Sequence, residues 1–305
     1  LKNPVNSLLN NRVKNMRETG IVSAVRTPIG SFGGSLSSLS APQLGAIVIQ
    51  EVLKRGNVSK ELVDEVIMGS VLTAGMGQAP ARQAAIYAGL PESVECMTIN
   101  KVCGSGLKSV VLAAQAIALG DADIIVAGGM ESMSNVPYML DKARTGYKMG
   151  HGQLTDLMIH DGLWDVYNNF HMGNAGEICA KEFNLTRALQ DEFAALSYKR
   201  AINAQQNNLF QEEIVPVTIA QKSGDPIIIS EDEEPKKVKF EKIPTLKPAF
   251  QKDGTVTAAN ASKINDGAAA VVVMSKQKAD ELGIKPIAKI VNYASFARKP
   301  EWFTT

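Results

Sequence analysis

Strand-like and helix-like apolar runs alternate through the first 130 residues, and that rhythm restricts the chain more than any other property. Ile21–Val25 reads as a strand. Ala41–Lys54 reads as a helix carrying Leu44, Ile47, Val48 and Val52 at helical spacing until Gly56 stops it, and Val66–Leu72 is strand again. Val94–Ile99 reads as a buried strand. A second helix follows, with Leu107, Val110, Val111, Ala114, Ile117 and Ala118 spaced along one face up to Gly120, and Ile124–Ala127 is the next strand. Alternation of this kind predicts βαβ units on a mostly parallel sheet.

In such sheets, sites gather in the loops at the carboxyl ends of strands. Asn100–Lys108 is a loop of that kind, with a lone Cys103 where a strand gives way to a helix. The unpaired N–H groups of a first helical turn and the helix dipole favour the thiolate, the nucleophilic form of cysteine. Gly104, Ser105 and Gly106 leave room for a bulky acyl donor. Local pattern alone leaves a second reading open, a small packed thiol.

Charge and cysteine usage narrow the classes of function. With 32 basic and 31 acidic residues there is no overall field to draw nucleic acid or an anionic membrane. Neither partner is expected. The three cysteines, Cys96, Cys103 and Cys179, make neither an even disulfide framework nor a CxxC pattern, which points to a reducing compartment. His151, His160 and His171 have no metal-ligand spacing, and no run of 18 uncharged apolar residues argues for a membrane span. Residues 1–15 carry Lys2, Arg12 and Lys14 with no acid, as an organellar presequence would, yet Met16 can equally be a true start, which makes 1–15 a leader or read-through.

Beyond residue 135 the rhythm changes, with frequent turns and shorter helices expected through about Ala259. This reads as an inserted or lid domain. Inside it Leu189, Phe193 and Leu196 mark an amphipathic helix with a core-facing side. The acidic run Glu231–Glu234, followed by Pro235, Lys236 and Lys237, reads as a solvated loop, and His171 as a structural histidine. Gly128–Ser134 divides between a methionine-rich binding segment and ordinary packing at a strand end. A polar stretch, Asn260–Gly267, then feeds the apolar Ala268–Met274 back into the first sheet, and Ile287–Val291 starts a further strand.

Five separated stretches, in order, carry a resemblance. They are Val22–Gly30, Asn100–Gly106, Gly128–Ser134, His171–Gly173, and Asn260–Ser262 with Asn265–Gly267. From about Met16 onward the chain resembles the thiolases, and among them the biosynthetic acetyl-CoA acetyltransferases, or acetoacetyl-CoA thiolases. The resemblance implies an α/β class, thiolase-like duplicated α/β/α/β/α fold with its second half largely absent from this chain. Residues 16–135 with 261–283 would form the first half, 136–260 the inserted loop domain on the CoA side, and 284–305 the opening of the second half.

The implied chemistry is ping-pong. Cys103 takes an acetyl group from acetyl-CoA, and the carbanion of a second acetyl-CoA attacks the acetyl-enzyme to give acetoacetyl-CoA and CoA, or the reverse. The N–H of Cys103 would be one oxyanion donor. Leu163, His171 and Met172 match positions lining the CoA channel, and Phe250, Ala258 and Ser262 match the adenine–pantetheine path. His171 then becomes a substrate-binding residue. CoA is substrate and product, no resident cofactor is implied, and potassium is doubtful because Pro235 stands where potassium-binding members have Tyr. Family members finish with Asn-Glu-Ala-Phe, Gly-His-Pro and Cys-x-Gly stretches that supply the activating His and the acid/base Cys. These do not occur here, so the expectation is a catalytically incomplete fragment of a homo-oligomeric, tetrameric enzyme, cytoplasmic or alternatively of the mitochondrial matrix. A ketoacyl synthase would not need the His171 loop. A non-catalytic CoA-binding or regulatory module is the other alternative.

Overall fold

The computed structural model describes residues 16–305, so the expected leader or read-through over 1–15 lies outside the described residues. In chain order the elements begin with β1 (Thr19–Arg26), β2 (Gly30–Ser31), α1 (Ala41–Arg55), β3 (Glu65–Gly69), α2 (Pro80–Tyr87), β4 (Glu95–Ile99), α3 (Ser105–Leu119) and β5 (Ile124–Ser132). Next come β6 (Tyr138–Leu140), β7 (Leu154–Asp156), α4 (Leu157–Gly162), β8 (Trp164–Asp165), β9 (Phe170–His171), α5 (Met172–Glu182) and α6 (Arg187–Gln206). The rest are β10 (Val217–Ile219), β11 (Ile227–Ile229), β12 (Asn265–Ser275), α7 (Lys276–Glu281) and β13 (Ala288–Lys289).

Seven strands make one sheet in the order β13-β1-β12-β5-β3-β4, with β2 also on β12. It is mixed, which corrects the expectation of a mostly parallel sheet. β3 is parallel to both β4 and β5, but β12 lies antiparallel to β5 and β1. The cause is the route of the chain. β12 returns only after the 136–260 excursion, so no single crossover helix dictates its direction. Residues 136–260 contribute three two-stranded hairpins and no strand to the large sheet. Their helices are short as expected at α4, with 6 residues, but α6 runs for 20. In the segment 284–305, β13 pairs with β1 at the sheet edge.

Successive strand residues point to opposite faces, and the core divides accordingly. Val66, Met68, Ile124, Val126, Val272 and Met274 pack on the side of α1 and α2, with Leu36, Leu44, Val48, Ile49, Val52 and Leu53. Ile67, Ile125, Ala127 and Val273 pack on the other side, against Ala113 and Ile117 of α3. Burial on both faces explains why these strands read as continuous apolar runs. α1 starts where predicted because Ser40 and Gln43 form a reciprocal capping box that spans Pro42, and Gly56 closes it. β4 departs from the reading of a buried strand. It is the sheet's edge and half exposed.

The face that α3 buries matches the reading only in part, at Ala114 and Ile117. Ser105, Ser109, Ala113, Ala114 and Ile117 face inward, while Leu107 is 74% exposed. The stretch Val102–Leu119 is long and apolar enough by composition to cross a membrane; here one side of it packs on the sheet. Similarly, Leu189, Phe193 and Leu196 of α6 are exposed, Phe193 by 71%, rather than facing a core. The buried side of α6 is Asp191, Ala194 and Ala204, with Asp191 held by Arg187 at 2.7 Å and by Asn260 at 3.0 Å.

Candidate active site

Cys103 is exposed and lies two residues ahead of α3, with Gly104 as the residue before the first helical position. The chain leaves the edge strand β4 and must turn into α3 within Asn100–Gly104. Val102 makes the turn with φ of +47°, the left-handed region. For a β-branched side chain that conformation is an outlier, costing of order 1–3 kcal/mol, and it persists only where neighbours hold it. Asn100 Oδ1 accepts from Val102 N–H at 2.9 Å, and the Val102 carbonyl accepts from Ser105 N–H at 3.0 Å and from the Ser105 hydroxyl at 2.6 Å. The same hydroxyl oxygen accepts from Lys101 N–H at 2.7 Å.

The helix start is pressed onto the strand ends by missing side chains. A Cβ on Gly69 would lie 2.6 Å from Ser105, and one on Gly129 would lie 3.3 Å from the Gly106 Cα. One on Gly128 would sit 2.1 Å from the Ala269 carbonyl oxygen of the neighbouring strand. Ser109 then donates to the Gly128 carbonyl at 2.9 Å. Of the three small residues read as room for an acyl donor, Gly104 does stand open, its nearest neighbour being the Lys101 carbonyl oxygen at 3.5 Å. Ser105 is buried and braces the turn, and Gly106 meets the sheet backbone, which corrects that reading for both. The other thiols differ. Cys96 is half-buried on β4, and burial pushes its thiol up from the ordinary cysteine value.

Glu131, at the end of β5, ties the neighbouring loop to this corner. It accepts from Val71 N–H at 2.9 Å and Leu72 N–H at 3.1 Å, and burial pushes its carboxyl up against those bonds. Asn100 donates to the Val71 carbonyl at 3.4 Å, so this loop and the Cys103 turn share a contact. Met130, in the same methionine-rich stretch, is buried against α1 beside Gly45, which is packing rather than a binding surface.

A second group of residues assembles around α5. Met172 N–H donates to the Leu163 carbonyl at 2.8 Å, and the β8–β9 ladder sets His171 opposite Trp164. The His171 ring stacks on Phe250, with centroids 4.8 Å apart, and its Nδ1 accepts from Gly173 N–H at 3.1 Å as the cap of α5. A neutral ring bonded in that way carries its proton on Nε2. Burial lowers the ring's affinity for a second proton below the usual histidine value. Gly173 must be glycine because a Cβ would fall 2.3 Å from the Phe250 ring. Ala258 and Ser262 are exposed in the following loop, which a bridge from Thr257 to Pro248 joins to the segment that carries Phe250. Leu163, His171, Met172 and Phe250 are thus one contact group, and the loop of Ala258 and Ser262 adjoins it.

The run 231–237, read as a solvated loop, is an anchor. Asp232 accepts from Arg26 at 2.7 Å and from Ile29 N–H at 2.8 Å, and Glu233 accepts from Ser31 N–H at 2.6 Å. Glu234 accepts from the Ser31 hydroxyl. The loop after β1 cannot satisfy its own N–H groups, and these carboxylates do it across about two hundred residues of sequence. Nothing in the local charge pattern signals that pairing.

Comparison with known proteins bears on what this corner does. Residues 19–277 match the sequence profile "Thiolase, N-terminal domain". The chain belongs to the thiolase family. Among this thiolase's relatives, the acetyl-CoA acetyltransferase of Cupriavidus necator is 58% identical over 287 residues, covering 94% of this chain and 73% of that protein. The crystal structure of the Acat5 thiolase from Ascaris suum in complex with coenzyme A aligns with a TM-score of 0.89 and 44% identity, over 94% of this chain and 74% of that one. An acetyl-CoA acetyltransferase structure from Syntrophomonas wolfei aligns with a TM-score of 0.91 and 40% identity, over 94% and 72%. The α/β thiolase fold of this chain follows from those superpositions.

Reading motifs along the thiolase sequence identified the cysteine but not its scaffold. The left-handed Val102 has no signal in residue type, since valine disfavours that region. Asn100 had one, because Asn two residues ahead of a backbone N–H is a common turn former.

Proposed function

We propose that this chain acts as an acetyl-CoA acetyltransferase in which Cys103 carries the acetyl group. The observation that carries this reading is the exposed Cys103 thiol, poised ahead of α3 on a strained turn. The thiolate attacks the thioester carbonyl of acetyl-CoA. A carbon–sulfur bond to Cys103 forms, the bond to CoA breaks, and CoA leaves as a thiolate that takes up a proton. The second step, in which an acetyl-CoA that has lost an α-proton attacks the acetyl-Cys103 carbonyl to give acetoacetyl-CoA and restore the Cys103 thiolate, needs a base that none of the residues named here supplies. In the opposite direction CoA cleaves acetoacetyl-CoA. Capture on sulfur divides one difficult condensation into two easier steps.

On this reading Leu163, Met172 and Phe250 supply apolar wall to the CoA arm, with Ala258 and Ser262 farther along. The Nε2–H of His171 donates to an amide carbonyl of that arm, while the ring's stacking on Phe250 holds its orientation. The test is the first half-reaction. The chain is mixed with acetyl-labelled acetyl-CoA, quenched in acid and mapped by peptide mass spectrometry. One acetyl group on Cys103 with one CoA released is expected, and none in Cys103→Ala. Acetyl spread evenly over Cys96, Cys103 and Cys179 would overturn the assignment. His171→Ala should raise KM for acetyl-CoA more than it lowers the acetylation rate.

A further inference from the structure

We infer that Ser105 and Asn100 are positioning residues for Cys103, acting through the backbone of Val102. The inference rests on Cys103 being the nucleophile. Six non-glycine residues among those described have positive φ. Four are asparagines and one is alanine, and Val102 is the β-branched exception. It directly precedes the reactive thiol. Left to itself a valine there would relax to negative φ, rotating the next peptide and displacing Cys103 relative to α3.

Both polar groups of Val102 are held against that relaxation. Asn100 takes its N–H, and Ser105 takes its carbonyl twice, through N–H and through Oγ. Ser105 is the stronger brace because it is 3% exposed, and its hydroxyl also accepts from Lys101 N–H. One oxygen therefore fixes the peptides on both sides of the turn. Its own position is set by Gly69, which leaves no space for it to withdraw toward β3. Asn100 is exposed, and its second bond, to the Val71 carbonyl, links the turn to the loop that Glu131 holds. Reactivity at a thiol that must meet a thioester in one geometry falls steeply with small displacements, so loss of either brace should register at Cys103 first.

The experiment measures iodoacetamide alkylation of Cys103 by mass spectrometry in the full chain, with Cys96 and Cys179 as internal references, from pH 6 to 9. Ser105→Ala should slow Cys103 about tenfold and Asn100→Ala about threefold, the reference thiols staying constant, as expected for loss of two hydrogen bonds made by a buried hydroxyl and of two made by an exposed amide. Adding Val102→Gly, which takes positive φ without strain, should return both variants to within about twofold of the parent. A merely structural role for Ser105 would not be rescued by a glycine three residues away. A Cys103 rate unchanged in Ser105→Ala, or a slowed rate that Val102→Gly fails to restore, overturns the inference alone. If Ser105→Ala does not fold by its thermal transition, Asn100→Ala with and without Val102→Gly decides. Slow, equal alkylation of all three thiols in the parent overturns the nucleophile reading and this inference with it.

Discussion

On the α1 and α2 side the sheet meets Leu36, Leu44, Val48, Ile49, Val52 and Leu53, all essentially inaccessible, with the alanines of α2 closing the layer. On the α3 side it meets Ser105, Ser109, Ala113, Ala114 and Ile117, and Leu107 and Leu119 point away from it. The first face is thick and made of branched aliphatic side chains. The second keeps Ile67, Ile117, Ile125 and Val273 but is lined by glycine, serine and alanine where α3 begins, which lets the helix start approach the strand backbone closely. The first face should then carry stability, each full burial of a large side chain contributing about 1.5–3 kcal/mol. The second should carry the geometry of the thiol.

The sharpest way to break that contrast is Leu44→Ala. Emptying its buried site should cost about 2–5 kcal/mol in urea unfolding and leave Cys103 alkylation unchanged under native conditions. A matching loss of reactivity would show the faces to be coupled. Gly69→Ala reverses the pattern. Its Cβ would meet Ser105 at 2.6 Å, so we expect about 1–3 kcal/mol of destabilisation together with a loss of Cys103 reactivity disproportionate to it.

A third test concerns the wall away from both faces. The unfolded His171 ring titrates at its ordinary value of 6.5, and the folded ring, pulled down by burial, titrates lower. The unfolded chain therefore takes the proton first. The contribution of neutral His171 is complete above pH 6.5 and is lost as pH falls through the lowered folded value. Urea midpoints should drop over that window, and His171→Asn, which can still cap α5, should flatten the drop; parallel slopes in the two proteins would remove His171 as its source. The smallest effect belongs to Leu107→Ala. With 74% exposure its truncation should move stability by no more than about 0.5 kcal/mol, and a larger loss would mean that the outer side of α3 is covered in solution.

Legibility followed the range of the interaction. α1 could be read almost to the residue, because Ser40, Gln43, Pro42 and Gly56 act on neighbours within one turn. α3 could be located but not oriented. Its spacing of Leu107, Val110 and Val111 is a genuine stripe, yet the helix is apolar or small all round, and the small side was the one that fitted the glycine-lined strand ends. The stripe of Leu189, Phe193 and Leu196 misled for a related reason, since Asp191 is buried by partners, Arg187 and Asn260, that lie on the opposite side of the helix. Motif order set His171 and Phe250 in one expected path, and the ring stack between them is a tertiary contact across 79 positions that no spacing encodes.

By itself the sequence determined the alternation of elements, the family, and the identity of a cysteine at a strand-to-helix junction, because these depend on residue type and local order. Tertiary structure decided the rest. It set the antiparallel return of β12, turned Asp232–Glu234 from part of a solvated run into the cap of a distant loop, and forced Val102 into a conformation that valine avoids. In each case the deciding partners, a backbone N–H, a carboxylate or a missing Cβ, lie outside the local stretch and come close only when the sheet has formed.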